Sequence, residues 1–247
     1  MPHLHEAPSC SACEQSNTKK RPPHTAKLPD KVEGGVEEIT RGVIVGDYNA
    51  FKRGVIFVPN YNVSVAEVLI PASELSEHIS TAGMEASGTS NMKFAMNGCV
   101  LIGTLDGANV EIRECVGEEN FFLFGAYAHE IAGLRQERLE GKFKPDPRFE
   151  EAKAFVKSGV FGTYDYKDLL GSLEGNEGFG RGDYFLVGKD FPAYIECQDC
   201  VDKAYKDVKE WTKMSILNTA GSAMFSSDRT IHQYANEIWK IKPLPVP

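Results

Sequence analysis

Apolar residues come in short unbroken runs between Arg53 and Gly125, and beyond Ala128 they recur at helical spacing. The runs Arg53-Gly-Val-Ile-Phe-Val58, Cys99-Val-Leu-Ile102 and Glu119-Asn-Phe-Phe-Leu-Phe124 predict buried strands, the last closed by Gly125. Ser64-Val-Ala-Glu67 has capping-box spacing and predicts a helix start, with Pro71 ending or bending that helix. This strand–loop–helix unit sets Tyr61 and Asn62 at the carboxyl end of a strand, the edge where open α/β sheets bind ligands. Helices are expected from Ala128 to about Leu139 and from Arg148 to Ser158, the second introduced by Pro145-Asp-Pro147 and stopped at Gly159. Gly175 to Gly182 reads as loop and Asp183-Tyr-Phe-Leu-Val187 as a further strand. A long amphipathic helix is predicted from Phe191 to about Leu217, with Tyr194, Val201, Tyr205, Val208, Trp211 and Met214 near one core-facing stripe. A last helix runs to Trp239, capped by Ser227 or Asp228. Strands alternating with helices define an α/β fold with a Rossmann-like parallel sheet and flanking helices.

Composition narrows the classes. A content of 42% hydrophobic residues in 247 supports a buried core. Met1 to about Glu38, by contrast, is dominated by Pro, Ser, Thr, His and Lys without apolar period, and predicts a disordered segment. We therefore divide the chain into 1–50, without ordering signal, and 51–247, the folded part. A formal charge of −8 argues against sequence-independent nucleic-acid binding, and no apolar run is long enough for a membrane helix. The pairs Cys10-Ser-Ala-Cys13 and Cys197-Gln-Asp-Cys200 have zinc-ligand spacing, but the second lies in the predicted long helix where a knuckle needs a turn. We expect no metal, and free thiols in a reducing compartment.

Candidate chemistry concentrates in Glu85-Ala-Ser-Gly-Thr-Ser-Asn-Met-Lys-Phe94. A small-residue loop runs into a short helix stopped by Gly98, with Thr89 or Ser87 as its cap and Gly88 allowing close approach of a ligand. Free N–H groups and the positive end of the helix dipole suit a phosphate. Lys93 follows within a turn between Met92 and Phe94, apolar company that can lower an amine pKa as imine chemistry requires. A phosphate cradle beside an imine-forming lysine describes a pyridoxal-phosphate site. The same letters also fit a surface lysine on an ordinary capped helix, Glu85 as an acidic residue near a helix start, and Tyr61 as a strand-end aromatic.

The segments Asn60 to Glu67, Ile79 to Phe94, Gly103-Thr-Leu-Asp-Gly-Ala-Asn-Val-Glu-Ile112 and Gly117-Glu-Glu-Asn-Phe-Phe-Leu-Phe-Gly125 resemble the α-glucan phosphorylases, the starch and glycogen phosphorylases. The resemblance runs from about Val55 to the C-terminus and is strongest to the plant enzymes. It implies a partial C-terminal pyridoxal-phosphate-binding domain, the latter half of the second domain of a two-domain GT-B glycosyltransferase architecture. It also implies phosphorolysis of terminal α-1,4-linked glucose, giving glucose 1-phosphate, with the cofactor's phosphate as acid/base partner of the substrate phosphate. That chemistry needs no pair of carboxylates. By motif position Lys93 would be the imine lysine, and the Thr89 and Ser90 backbone N–H groups would bind the cofactor phosphate. Tyr61 would border the cofactor. Glu85 would accept from glucose hydroxyls, and Ser87 and Gly88 would contact the same sugar.

Partners implied are an α-1,4-glucan, inorganic phosphate and glucose 1-phosphate, with neither nucleic acid nor membrane, and a possible homo-oligomer in the full-length family. Animal members carry arginine where this chain has Asn62, whereas plant members read Asn-Val-Ser there. Nothing before Val55 resembles the family's Lys/Arg phosphate clamp, so this chain alone is expected to bind cofactor without turnover. The alternative reading is a catalytically inactive fragment that binds cofactor or a partner subunit. A weaker third is an unrelated phosphate-binding Rossmann module. The stretches Gly188 to Cys197 and Thr230 to Tyr234 resemble the plastidial more than the cytosolic plant type, which implies a plastid, with cytoplasm as the alternative.

Overall fold

A computed structural model describes residues 58, 60–174 and 182–244. Helix α1 (Val63–Ala72) leads into strand β1 (Leu75–His78), and helix α2 (Ser90–Met96) into strand β2 (Val100–Gly103). Helix α3 (Asn109–Val116) and a 3-10 turn (Glu118–Asn120) precede strand β3 (Phe121–Leu123). The three strands form one parallel sheet in the order β1-β2-β3, with Leu75 opposite Val100 and Leu101 opposite Phe121. Parallel neighbours require a crossover, and α2 and α3 supply the two crossovers.

Strand β2 is buried along its whole length because both of its faces are covered. On one face Val100, Ile102 and Phe122 pack with Val201, Trp211 and Met214. On the other, Leu101 and Phe121 pack with Ala95, Ile112 and Val116. The first set of helical partners comes from α7 (Val187–Lys206) and α8 (Val208–Gly221), the second from α2 and α3. Between β3 and α7 lie α4 (Ile131–Leu139), α5 (Pro147–Lys157) and α6 (Lys167–Glu174). After α8 the chain makes a 3-10 turn (Ser222–Phe225), helix α9 (Ser227–Gln233) and a π-helical continuation (Tyr234–Trp239).

Several expectations are corrected. Asn62, not Ser64, caps α1, its Oδ1 accepting from the Val65 N–H at 3.2 Å. Asp183 to Val187 is not a strand. Asp183 and Leu186 take positive φ, and the Asp183 carboxylate accepts from the Val187 and Gly188 N–H groups, both at 2.8 Å, so this segment caps α7. The long amphipathic stretch is two helices, because Asp207 turns extended and its Oδ1 accepts from the Glu210 N–H. That break throws Val208 outward, 75% exposed, while Trp211 and Met214 return to the core. Ser226 holds the N-cap position of α9 in place of Ser227 or Asp228. Strand β1 was not anticipated at all. The expected strand at 53–58 (Val58 apart), the disordered segment, Cys10 and Cys13, and the loop at 175–181 lie outside the described residues.

Cys197 and Cys200 fall on α7, and among the described residues no group of His, Cys, Asp or Glu is arranged to hold a metal. Buried Cys99 is a free thiol whose pKa is pushed up to about 12, first by burial and then by the Glu74 charge. Among the described residues no helix is long and apolar enough to cross a membrane.

Candidate functional site

The loops leaving β1 and β2 at their carboxyl ends meet and fix one another. Thr104 Oγ1 donates to the Ser80 carbonyl at 2.7 Å. The buried Asp106 carboxylate accepts from Ser80 Oγ at 2.6 Å and the Glu85 N–H at 3.0 Å through Oδ2. Its Oδ1 accepts from the Gly83 N–H at 2.8 Å and the Gly107 N–H at 3.1 Å. The Ala108 N–H donates to the Ser87 carbonyl at 2.6 Å. A Cβ at Gly107 would stand 2.5 Å from that carbonyl, and Gly107 has φ +50°, so the approach of the two loops requires glycine.

Helix α2 is tied to the same turn. Asn91 Nδ2 donates to Asn109 Oδ1 at 3.0 Å, and Asn109 Nδ2 donates to the Thr104 carbonyl at 3.0 Å. Both asparagines are 2% exposed, so this pair sets α2 against α3 from inside the fold. Thr89 sits at the N-cap of α2 without a side-chain cap bond, and Ser87 Oγ donates to the Gly88 carbonyl instead. Neither residue caps the helix as expected; Asn91 Oδ1 accepts from the Met92 N–H within the first turn. Among the described residues no oxygen accepts from the Thr89 or Ser90 N–H.

Met92 and Phe94 turn toward the cluster of Leu101 and Ile112, which leaves Lys93 exposed. The expected apolar enclosure of its amine is therefore corrected: at helical spacing, neighbours in sequence point to other faces. Lys93 instead lines an open cleft of about 400 Å³ between α1 and α2 with Tyr61, Val63, Ala66, Ile70, Pro71 and Ser90. That volume falls in the roughly 300–1,000 Å³ range of small-molecule sites. The structure thus brings Lys93, Ser90 and Tyr61 together. Glu85, Ser87, Gly88 and Thr89 stand on the adjoining exposed loop and are not part of that lining. Sequence reasoning passed over Asp106, Asn91 and Asn109; the Asp106-Gly107 turn directly after β2 was the available signal.

His78 ends β1 with its ring edge-on to Phe94 at 6.1 Å and Nε2 at 2.9 Å from Ser76 Oγ. Burial holds its pKa below the ordinary 6.5. The unfolded chain therefore takes up this proton first as pH falls. The stability that neutral His78 supports is complete above pH 6.5 and declines below it toward the depressed folded value. Urea melts of His78→Gln should accordingly show a shallower loss between neutral and mildly acid pH than the parent, and parallel curves would refute this.

The fold is thus of the α/β class, a three-stranded parallel sheet with flanking helices, and it sets a helix-borne lysine in a cleft beside a loop at the sheet's carboxyl edge. The chain belongs to the carbohydrate phosphorylase family, whose model matches residues 43–241. It is 81% identical over 193 residues to the chloroplastic/amyloplastic alpha-1,4 glucan phosphorylase L-2 isozyme of Solanum tuberosum, covering 78% of this chain and 20% of that relative. To alpha-glucan phosphorylase 1 of Arabidopsis thaliana it is 78% identical over 193 residues, covering 78% of this chain and 20% of that protein. To the cytosolic alpha-glucan phosphorylase 2 of the same plant it is 77% identical over 193 residues, covering 78% of this chain and 23% of that protein. The chain spans about a fifth of the length of these relatives.

Proposed function

We propose that this chain carries the cofactor-binding part of an α-1,4-glucan phosphorylase and serves phosphorolysis of terminal glucose to glucose 1-phosphate. The observation that carries the reading is the single cleft lined by Lys93, Ser90 and Tyr61. The residues fit pyridoxal phosphate: an exposed primary amine, apolar walls from Val63, Ala66, Ile70 and Pro71 beside the polar Glu67 and Asn97, and, among the described residues, no acceptor on the Thr89 and Ser90 N–H groups at the start of α2. Bound there, the cofactor supplies a phosphate whose second pKa near 6 lets it hold or release a proton at working pH.

Each protein group has a definite part. Lys93 Nζ would hold the cofactor through its aldehyde carbon, Tyr61 would border it, and the Thr89 and Ser90 amides would donate to its phosphate. The Glu85 carboxylate accepts from glucose hydroxyls, and the Ser87 and Gly88 backbone contacts the same sugar. Gly88, at φ +76°, adopts a backbone that a side chain would strain. Overall the glucose C1–O bond to the glucan breaks, a C1–O bond to inorganic phosphate forms, and the departing glucan oxygen gains the proton that this phosphate gives up.

The wider architecture in this reading is a two-domain GT-B enzyme, of whose second domain this chain carries the latter half. The compartment is the plastid, following the relatives of chloroplastic/amyloplastic name, with cytoplasm as the alternative since a cytosolic relative is 77% identical. The test is release of glucose 1-phosphate from a linear α-1,4-glucan in phosphate buffer by this sequence set within a phosphorylase of full family length. Release that depends on added pyridoxal phosphate is the expected result. Release that does not depend on it would sink the cofactor reading.

A further inference from the structure

We propose that Asp106 is a positioning residue, setting the geometry of the sugar-contacting loop while touching neither sugar nor cofactor. This rests on the reading of Glu85 and Ser87 as sugar contacts. A carboxylate is an acceptor only, with room for about four donors on its two oxygens. Asp106 accepts four, from Ser80 Oγ and the Gly83, Glu85 and Gly107 N–H groups, at 2.6 to 3.1 Å. Three of these donors belong to the loop after β1. The carboxylate is 5% exposed, and among the described residues it makes no ion pair with a lysine or arginine. Its bonding is thus spent on main chain and one hydroxyl, and these charge-assisted bonds belong to the stronger class.

The grip falls on the functional positions. Asp106 holds the main chain of Glu85 directly. Its neighbour Gly107 leaves the space through which the Glu85 side chain runs, since a Cβ there would stand 3.0 Å from Glu85 Cγ. Glu85 Oε1 in turn accepts from the Ser87 N–H at 3.5 Å, and the Ser87 carbonyl is held by the Ala108 N–H. One short turn after β2 therefore orients both sugar contacts. Helix α2, which bears Lys93, is held separately through Asn91 and Asn109.

Asp106→Asn keeps the shape and loses charge and one acceptor oxygen. In the full chain, amide exchange over 80–88 should quicken about tenfold while strand residues 100–103 stay within about twofold of the parent. Reductive trapping of pyridoxal phosphate on Lys93 should be unchanged, and affinity for glucose 1-phosphate should fall about tenfold. Glu85→Gln should lose sugar affinity with loop exchange unaltered. If Glu85→Gln weakens binding and Asp106→Asn neither weakens it nor loosens the loop, the inference is overturned. If Glu85→Gln binds like the parent, the sugar-contact reading fails, and the exchange result alone then decides whether Asp106 holds the loop. Should Asp106→Asn also lose protection in 100–103, Ser80→Ala decides: faster exchange confined to the loop supports the role, and exchange like the parent overturns it.

Discussion

Lys93→Ala removes the attachment of pyridoxal phosphate, leaving only the low, scattered labelling of surface amines. The expectation rests on placement. Among the described residues Lys93 is the one lysine that lines the cleft between α1 and α2. Lys153, the buried lysine, is engaged by Glu150 at 2.9 Å and lies on α5, away from that cleft. Lys157 and Lys167 line a separate cavity of about 440 Å³ with Tyr164, Tyr166 and Glu174, where the Lys157 amine is paired with the Glu174 carboxylate. Borohydride reduction with the cofactor followed by peptide mass mapping reads the result directly. Lys93→Arg is the sharper control: it keeps the positive charge, yet a guanidinium is not the nucleophilic amine that an aldehyde needs. Equal labelling of parent and both variants would mean that the cleft selects nothing.

The largest effect on folding is expected at Phe122. Its side chain is 0% exposed on β3 and packs with Val100, Ile102 and Met214, its ring stacked with Trp211 at a centroid distance of 6.4 Å. Deleting it opens a cavity where sheet and α8 meet, and truncations of this kind cost about 3–5 kcal/mol. Against a typical total of roughly 5–15 kcal/mol, that leaves a marginal protein. Urea unfolding followed by Trp211 fluorescence should show the midpoint falling steeply in Phe122→Ala. A loss under about 1 kcal/mol would show that the core collapses around the gap.

The parts of this fold that could be read from the letters are those where burial is continuous. Cys99-Val-Leu-Ile102 stands out because β2 is covered on both faces, so every position is apolar. Strand β1, Leu-Ser-Glu-His, gave no such signal. It is held by polar ties from afar: Glu77 accepts from Tyr194 Oη at 2.9 Å and from Gln198 Nε2 at 2.7 Å. Partners more than a hundred residues away leave no local pattern. The break at Asp207 and the capping turn at Asp183 were masked in the same way, because one carboxylate overrode an otherwise plausible period.

The candidate site shows a similar split. Motif letters pointed to Lys93, Ser90 and Tyr61, and the fold brings these three into one cleft. The buried acceptors behind them were silent, since Asp106 and Asn109 look like ordinary turn and helix-start residues until their donors are known. Arg135, a half-buried donor, was equally silent. It lies on α4, donates to the Tyr184 carbonyl at 3.0 Å and reaches Met84 Sδ at 3.2 Å, bracing the residue before Glu85.

The alternation along β2 has a further consequence for the site. Leu101 faces α2 and α3 while Val100 and Ile102 face α7 and α8, so a slip of one residue would exchange the two cores. Asp106 stands four residues beyond Ile102, and a slip would carry it about 3.3 Å along the strand axis, out of reach of the amides it holds. The hydrophobic sandwich thus acts as a ruler for the polar turn: the same steric lock that chooses the strand's register also calibrates where the loop carrying Glu85 comes to rest.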